Sequence, residues 1–310
     1  MRVIISGATG FIGQALCREL CGDYELVALT RDARRAATIM RQFARIVEWD
    51  ARTTSGWAGQ VEGAYAVINL AGENLSTGRW TMSKKNSILQ SRTNSANAIA
   101  DAVEGARHKP RVVIQASAVG YYGSRGDETL AEDSPPGDDF LAEVCRKTES
   151  VIARVSRQDV RCVRLRTGIV LGRDGGVLPR LMRPFRFFLG GRVGGGNQWV
   201  SWIGLNDDIR AIRFLMESQG LSGPFNVCSP KSVTMKEFSR ELGQVLHRPA
   251  WGVLPGFAAR LAFGEMADEV LLVSQQVIPK RLQEAGFKFN QADLRTALEA
   301  IIRGEDHESQ

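Results

Sequence analysis

A doubly wound α/β fold, a parallel sheet with a small C-terminal lobe, is what this 310-residue sequence predicts. Three observations lead there. Short Val- and Ile-rich runs without polar alternation recur through the first two-thirds of the chain, as in parallel strands buried on both faces. Helical stretches alternate with them in a regular rhythm. A glycine turn, Gly7-Ala8-Thr9-Gly10-Phe11-Ile12-Gly13, joins the first run to the first helix.

The strands are expected at Arg2–Ser6, Glu25–Thr30, Ala44–Trp49, Ala66–Leu70, Arg111–Ala116 and Arg161–Arg166. Helices fit between them at 11–22, 33–42, 83–105 and 139–157. From Gly168 to Gly204 the chain is glycine-rich and reads as loops threaded with short elements, where a pocket can be built. Beyond it, Asn206–Gln219, Thr234–Leu246, Gly256–Phe263 and Gln291–Arg303 read as helices, and Pro224–Val227 and Gly286–Phe289 as short extended pieces. This gives a Rossmann-type domain over 1–170, to which later segments can return, a C-terminal lobe over 171–303 and a frayed tail over 304–310.

Composition sets bounds. The chain is 44% hydrophobic and 24% charged, ordinary for a soluble globular protein with a full core. The +6 charge suits an anionic ligand but is too diffuse for nucleic acid, and no basic helix carries interleaved aromatics. Five cysteines are scattered without a CxxC pair, which fits a reducing cytoplasm, and Cys17 and Cys21 read as buried small residues of the first helix. No signal peptide precedes the strand at Arg2, and no apolar run is long enough to span a membrane, so no membrane partner is expected. His108, His247 and His307 lie far apart and predict no metal site.

The glycine turn carries the first chemistry. Gly7, Gly10 and Gly13 let the backbone turn, approach a pyrophosphate and pack the helix on the sheet, while Thr9, Phe11 and Ile12 open the helix whose N-terminus attracts phosphate. The second strand ends Ala28-Leu29-Thr30-Arg31, with no carboxylate at its tip. An arginine there suits a 2′-phosphate, so NADP(H) is favoured over NAD(H), with Thr30, Arg31 and Arg34 or Arg35 at the phosphate. Asp32 could face a ribose but reads better as a helix N-cap. Asp50 could meet the adenine amino group or serve as a turn residue. Leu70, Ala71 and Gly72 end the fourth strand and let the backbone pass close to the cofactor.

These motifs have a counterpart in a known family. With Asn69-Leu70-Ala71-Gly72-Glu73, Ser117-Ala118-Val119-Gly120-Tyr121-Tyr122-Gly123, Arg166-Thr167-Gly168, Ser201-Trp202-Ile203, Gly223-Pro224-Phe225-Asn226 and Gly286-Phe287, the chain resembles the extended short-chain dehydrogenase/reductase superfamily. More narrowly it resembles the atypical YfcH-like branch of NAD-dependent epimerase/dehydratase-like proteins, over nearly its whole length. The resemblance implies a serine and a tyrosine that hold the reacting oxygen, with a lysine four residues after the tyrosine. Ser117 matches the serine. Alignment on Glu149 puts Leu141 and Cys145 where the tyrosine and lysine belong. Lys147 points about 200° away on the helix and Arg146 about 100°.

Replacement proton carriers are Tyr121, Tyr122 and Glu73; each also reads as a packing or loop residue. Arg166 and Gly168 end the sixth strand, where the resemblance runs the backbone beside the nicotinamide. For a small-molecule substrate, anionic or sugar-nucleotide in type, Arg79 and Trp80 are candidates, with Gln198 and Trp202 in the glycine-rich region. Arg79-Trp80 equally suits a surface loop anchored by one aromatic. Two functions follow: an NADP(H)-binding oxidoreductase or nucleotide-sugar-epimerase-like enzyme, or a non-catalytic NADP(H)-binding sensor or scaffold. A homodimer through the helices at 83–105 and 139–157 would be usual for the superfamily.

Overall fold

Seven strands form one parallel sheet in the computed structural model, which describes residues 1–304. We label them β1 (Arg2–Ser6), β2 (Glu25–Thr30), β3 (Arg45–Glu48), β4 (Ala66–Asn69), β5 (Val112–Ala118), β6 (Arg161–Thr167) and β7 (Gly223–Val227). Their order across the sheet is 7-6-5-4-1-2-3, every neighbouring pair parallel. The order reverses between β1 and β4, and at such a switch point the two strands' loops part and leave a crevice.

The helices are α1 (Phe11–Leu20), α2 (Ala33–Met40), α3 (Met82–Gly105), α4 (Phe140–Ala153), α5 (Leu178–Arg186), α6 (Leu205–Glu217), α7 (Met235–Val245), α8 (Gly256–Phe263), α9 (Lys280–Glu284) and α10 (Leu294–Arg303). One face of the sheet packs Val3, Ile5, Ile68 and Ile114 against α1 and α6; the other packs Ile4, Val67 and Val113 against α3. Burial on both faces is why these strands show no alternation of polar and apolar residues. A separate core joins α5, α7 and α10 around Trp202, Phe185 and Phe238.

Pro224–Val227 is extended as expected and belongs to β7, an edge strand of the main sheet beside β6. Other expectations need correction. Gly286–Phe289 forms no strand: Phe287 lies edge-on to Phe289 and packs against Phe214, tying this turn to α6. Cys17 is buried but Cys21 is exposed. The 139–157 helix ends at Ala153 and tightens into a 3₁₀ turn over Arg154–Gln158, and the last helix starts at Leu294, capped by Asp293. The tail expected at 304–310 lies, apart from Gly304, outside the described residues.

Candidate functional site

A cleft of about 840 Å³ opens at the switch point. Its floor is the backbone of Gly7 after β1 and of Leu70, Ala71 and Gly72 after β4. Gly7 has φ +69°, and a Cβ there would stand 2.7 Å from the carbonyl carbon and oxygen of Leu70. A side chain is excluded by conformation and by space alike. A Cβ on Gly13 would lie 2.3 Å from the Gly7 oxygen, so α1 meets the turn directly. Beneath the floor, Asn69 ties the strand tips together. It accepts from Ser6 Oγ and donates to Gln115 Oε1 at 2.8 Å and Ser95 Oγ at 3.2 Å.

The N-terminus of α1 faces this cleft bare. Gly10 caps it without a side-chain bond, and its first turn holds no carboxylate. Free N–H groups and the positive end of the helix dipole are the chemistry of an anion site. Arg31 and Arg35 line the opposite wall, exposed and without an ion pair among the described residues. Asp32 caps α2 by accepting from Arg35 N–H at 2.9 Å. Asp50 lines the cleft and also closes its own turn: N–H groups of Thr53 and Arg52 hold its carboxyl below the usual carboxylate range.

Beyond the cleft, at the end of β5, is a chain of polar side chains. Ser117 Oγ donates to Glu149 Oε1 at 2.7 Å. Arg166 grips the same buried carboxylate through Nε and Nη2, both at 3.0 Å. Its Nη1 donates to Tyr122 OH and to the Glu132 carbonyl, each at 3.0 Å, and Tyr122 OH donates to Asn226 Oδ1 at 2.6 Å. Burial opposes the Arg166 charge, but Glu149 outweighs it and holds the guanidinium above its ordinary pKa. Burial pushes the Tyr122 phenol up to about 12, against the pull of Arg166.

Sequence profiles and solved structures point to one relationship. The profile of the NAD dependent epimerase/dehydratase family matches residues 3–228, and that of a domain of unknown function (DUF1731) matches residues 254–301. The chain belongs to the NAD dependent epimerase/dehydratase family. The chloroplastic SDR39U1 homolog of Arabidopsis thaliana, an epimerase family protein, is 38% identical over 98% of this chain and 87% of its own length. The crystal structure of human epimerase family protein SDR39U1 with NADPH superposes with a TM-score of 0.89 at 32% identity, covering 98% of this chain and 99% of the human one. A nucleoside-diphosphate sugar epimerase from Corynebacterium glutamicum gives 0.78 at 31% identity, over 97% of this chain and 58% of that one.

The cleft gathers ten of the residues singled out for a cofactor: Gly7, Thr9, Gly10, Thr30, Arg31, Arg35, Asp50, Leu70, Ala71 and Gly72, with Glu73 at its edge. Others lie elsewhere for physical reasons. Phe11 turns its ring onto Gly172 and Gly175 in a groove behind α1, and Ile12 packs on the sheet core. Arg166 spends its donors on Glu149 and Tyr122, and Gly168 is pressed against the Ser201 backbone.

The four substrate candidates do not line the cleft. Trp80 is buried against Phe140, its indole bonded to the Leu75 carbonyl. Trp202 is fully buried and bonded to the Lys231 carbonyl. Gln198 staples the Val193 and Leu271 carbonyls, and Arg79 donates to the Leu261 carbonyl.

Leu141 and Cys145 do sit over the end of β5. Leu141 faces Gly120, and the Cys145 thiol lies at 3.8 Å from the Ala118 carbonyl. Burial pushes that thiol up to about 11, so it stays protonated near neutral pH. Lys147 pairs outward with Glu143 at 2.5 Å. Tyr122 is sealed in the buried chain, whereas Tyr121 is half-buried and its phenol has no hydrogen bond among the described residues. Glu73 is paired with Lys84 at 2.6 Å.

The sequence groups Arg92 only loosely with Arg79-Trp80 and Lys84-Lys85, on the side of an anionic substrate. From α3 its guanidinium stands behind Gly72, 3.0 Å from where a Cβ would be, and donates to the Glu73 and Ile88 carbonyls. It has no ion pair among the described residues, and burial pushes its pKa down. Of the titratable groups close enough to act on it, Glu73 is the charged one, since the Cys145 thiol stays protonated. Only the lack of a carboxylate at i±3 or i±4 around Arg92 hinted at an unneutralised cation.

Proposed function

We propose that this chain binds NADP(H) in the switch-point cleft and is an oxidoreductase or nucleotide-sugar-epimerase-like enzyme acting on a small substrate. The observation that carries the reading is the uncapped N-terminus of α1, open to a cleft whose floor only glycine can form. A pyrophosphate would take the α1 N–H groups, and Arg31 and Arg35 would take a 2′-phosphate. The NADPH in the human relative supports the same choice here. When bound, the cofactor would supply a hydride donor or acceptor. Residues 171–303, less β7 and α6, would form the substrate side.

The remaining chemistry belongs to this chain's side chains. Ser117 has committed its proton to Glu149, so it offers lone pairs outward. A substrate hydroxyl would donate to Ser117 Oγ, which the bond to Glu149 keeps oriented. Tyr121 is the phenol left free to exchange a proton, because Tyr122 is locked. Arg92 would supply, from α3, the positive charge that α4 lacks at Cys145.

Calorimetric titration with NADPH and NADH tests the reading. NADPH should bind more tightly, and Arg31→Gln should erase about ten-fold or more of that preference, the value of a charged hydrogen bond. Failure of both coenzymes to bind overturns it. Leu141 and Cys145 favour a second reading, a non-catalytic NADP(H) sensor or scaffold. Stoichiometric hydride transfer in a single turnover would eliminate that one.

A further inference from the structure

Nine of the eleven large apolar side chains exposed among the described residues fall in two short segments, 187–189 and 251–263. Scattered surface apolar residues are ordinary; a concentration like this is not. The segments form one surface. Gly191–Val193 pairs with Gly252–Leu254 as a short parallel ladder, and Gly252 N–H donates to the Gly190 carbonyl at 2.8 Å. Arg248 lies over the Phe188 ring at 4.9 Å, and α8 follows the ladder directly, exposing Phe257 and Leu261 one turn apart.

Two further features say what covers it. Between Leu178 and Arg192, and between Arg248 and Phe263, there are six arginines and no Asp or Glu. Arg260 is paired with Asp268, but Arg183, Arg186 and Arg248 have no carboxylate partner among the described residues. The apolar tip is also held outward. Phe188 has φ +60°, a conformation that a bulky residue adopts only when its surroundings impose it. Here N–H groups of Phe187 and Leu189 are bonded to the Pro184 carbonyl, and that of Phe188 to the Phe185 carbonyl. Three consecutive apolar side chains, Phe187, Phe188 and Leu189, are exposed on this turn.

We propose that this face docks peripherally on a bilayer carrying anionic headgroups, with Phe187, Phe188, Leu189 and Trp251 in the interfacial layer and Arg183, Arg186 and Arg248 on the headgroups. A second copy of the same face would bring unneutralised arginines together and is disfavoured by charge. Anionic headgroups complement the arginines, while the acyl boundary takes the apolar side chains beside them. The docking is a surface contact: no helix of the described residues is long and apolar enough to cross a membrane. It revises the expectation that membranes play no part, and it is independent of the cofactor reading.

Flotation of the full chain with phosphatidylcholine vesicles, with and without phosphatidylglycerol, tests it. Binding is expected only with the anionic lipid and should weaken as salt rises. Arg183→Gln with Arg186→Gln should reduce it about 25-fold, about five-fold for each charge. Phe187→Ser should reduce it about ten-fold or more. These positions are exposed, so thermal melts should match wild type. A vesicle-induced blue shift in tryptophan emission should vanish in Trp251→Phe. Equal binding to neutral vesicles, no binding to anionic ones, or a lipid-free dimer that Phe187→Ser dissociates would overturn the proposal.

Discussion

Replacing Glu149 with glutamine tests the charge pair beneath Ser117. Glu149 and Arg166 are both buried, and two 3.0 Å bonds join carboxylate to guanidinium. Glutamine keeps the volume and one acceptor but turns an NH₂ group toward a guanidinium donor. Arg166 then stays charged in a site where burial opposes its charge. Breaking a buried pair from one side costs about 3–5 kcal/mol. Bonds from Nη1 to Tyr122 and Glu132, and the Tyr121 ring 3.4 Å from Cζ, still offset part of the charge. The lower figure, about 3 kcal/mol, is therefore expected. With a urea slope of about 3 kcal/mol per molar, the midpoint should fall by about 1 M.

The assay is urea unfolding of wild type, Glu149→Gln, Arg166→Met and the double variant. The double variant removes both charges and should be less destabilised than the two single losses combined, leaving a coupling on the order of 2 kcal/mol. A Glu149→Gln loss below about 1 kcal/mol with an additive double variant would refute the reasoning, because the pair would then behave like one on the surface.

Gly7→Ala adds a left-handed alanine and a clash with the Leu70 backbone, about 2–5 kcal/mol together, visible as a thermal midpoint lower by several degrees. A loss below about 1 kcal/mol would mean that the turn relaxes. Burial pushes the Asp208 carboxyl from 3.8 up to about 7, and neither of its oxygens has a hydrogen-bond partner among the described residues. The folded state then keeps a proton that the unfolded chain releases. Stability is full below about pH 4 and falls by on the order of 4 kcal/mol as pH rises past about 7. Asp208→Asn should flatten that slope in urea melts across the range, and an unchanged slope would place the titration elsewhere. Arg92→Gln should weaken NADPH binding about ten-fold in calorimetry, with partial recovery in Arg92→Lys; unchanged affinity would mean that Arg92 does not reach the ligand.

The sheet and its cradle were legible because their causes are local. A strand buried on both faces must be apolar throughout, and a turn with φ +69° pressed against another backbone must be glycine. What was missed depends on distant partners. Pro224–Val227 reads as a short extended piece, but its place at the edge of the main sheet comes from β6, which supplies its whole ladder on one side. Trp80 and Trp202 read as pocket aromatics, but such large apolar surfaces can equally fill a core once their N–H finds a carbonyl, as both have done. Arg166 looked like a strand end beside a ligand. Its pairing with Glu149 joins a strand to a helix by contacts that no spacing encodes.

The departure from the family's tyrosine and lysine is built into packing. Leu141 fills the space over Gly120, and Cys145 is sealed against the end of β5. A lysine in place of Cys145 would set an ammonium in that buried position with the Arg92 cation acting on the same site, a repulsion with no carboxylate free to absorb it, since Glu149 is already held by Arg166. A cation does stand at this end of the sheet on α3, where Arg92 is fixed by two backbone carbonyls beside the cleft floor. An arginine remains protonated at any working pH, so it can hold an oxyanion but cannot pass a proton. On the function proposed above, proton exchange at this end of the sheet would fall to Ser117 and to the Tyr121 phenol, which has no hydrogen bond among the described residues.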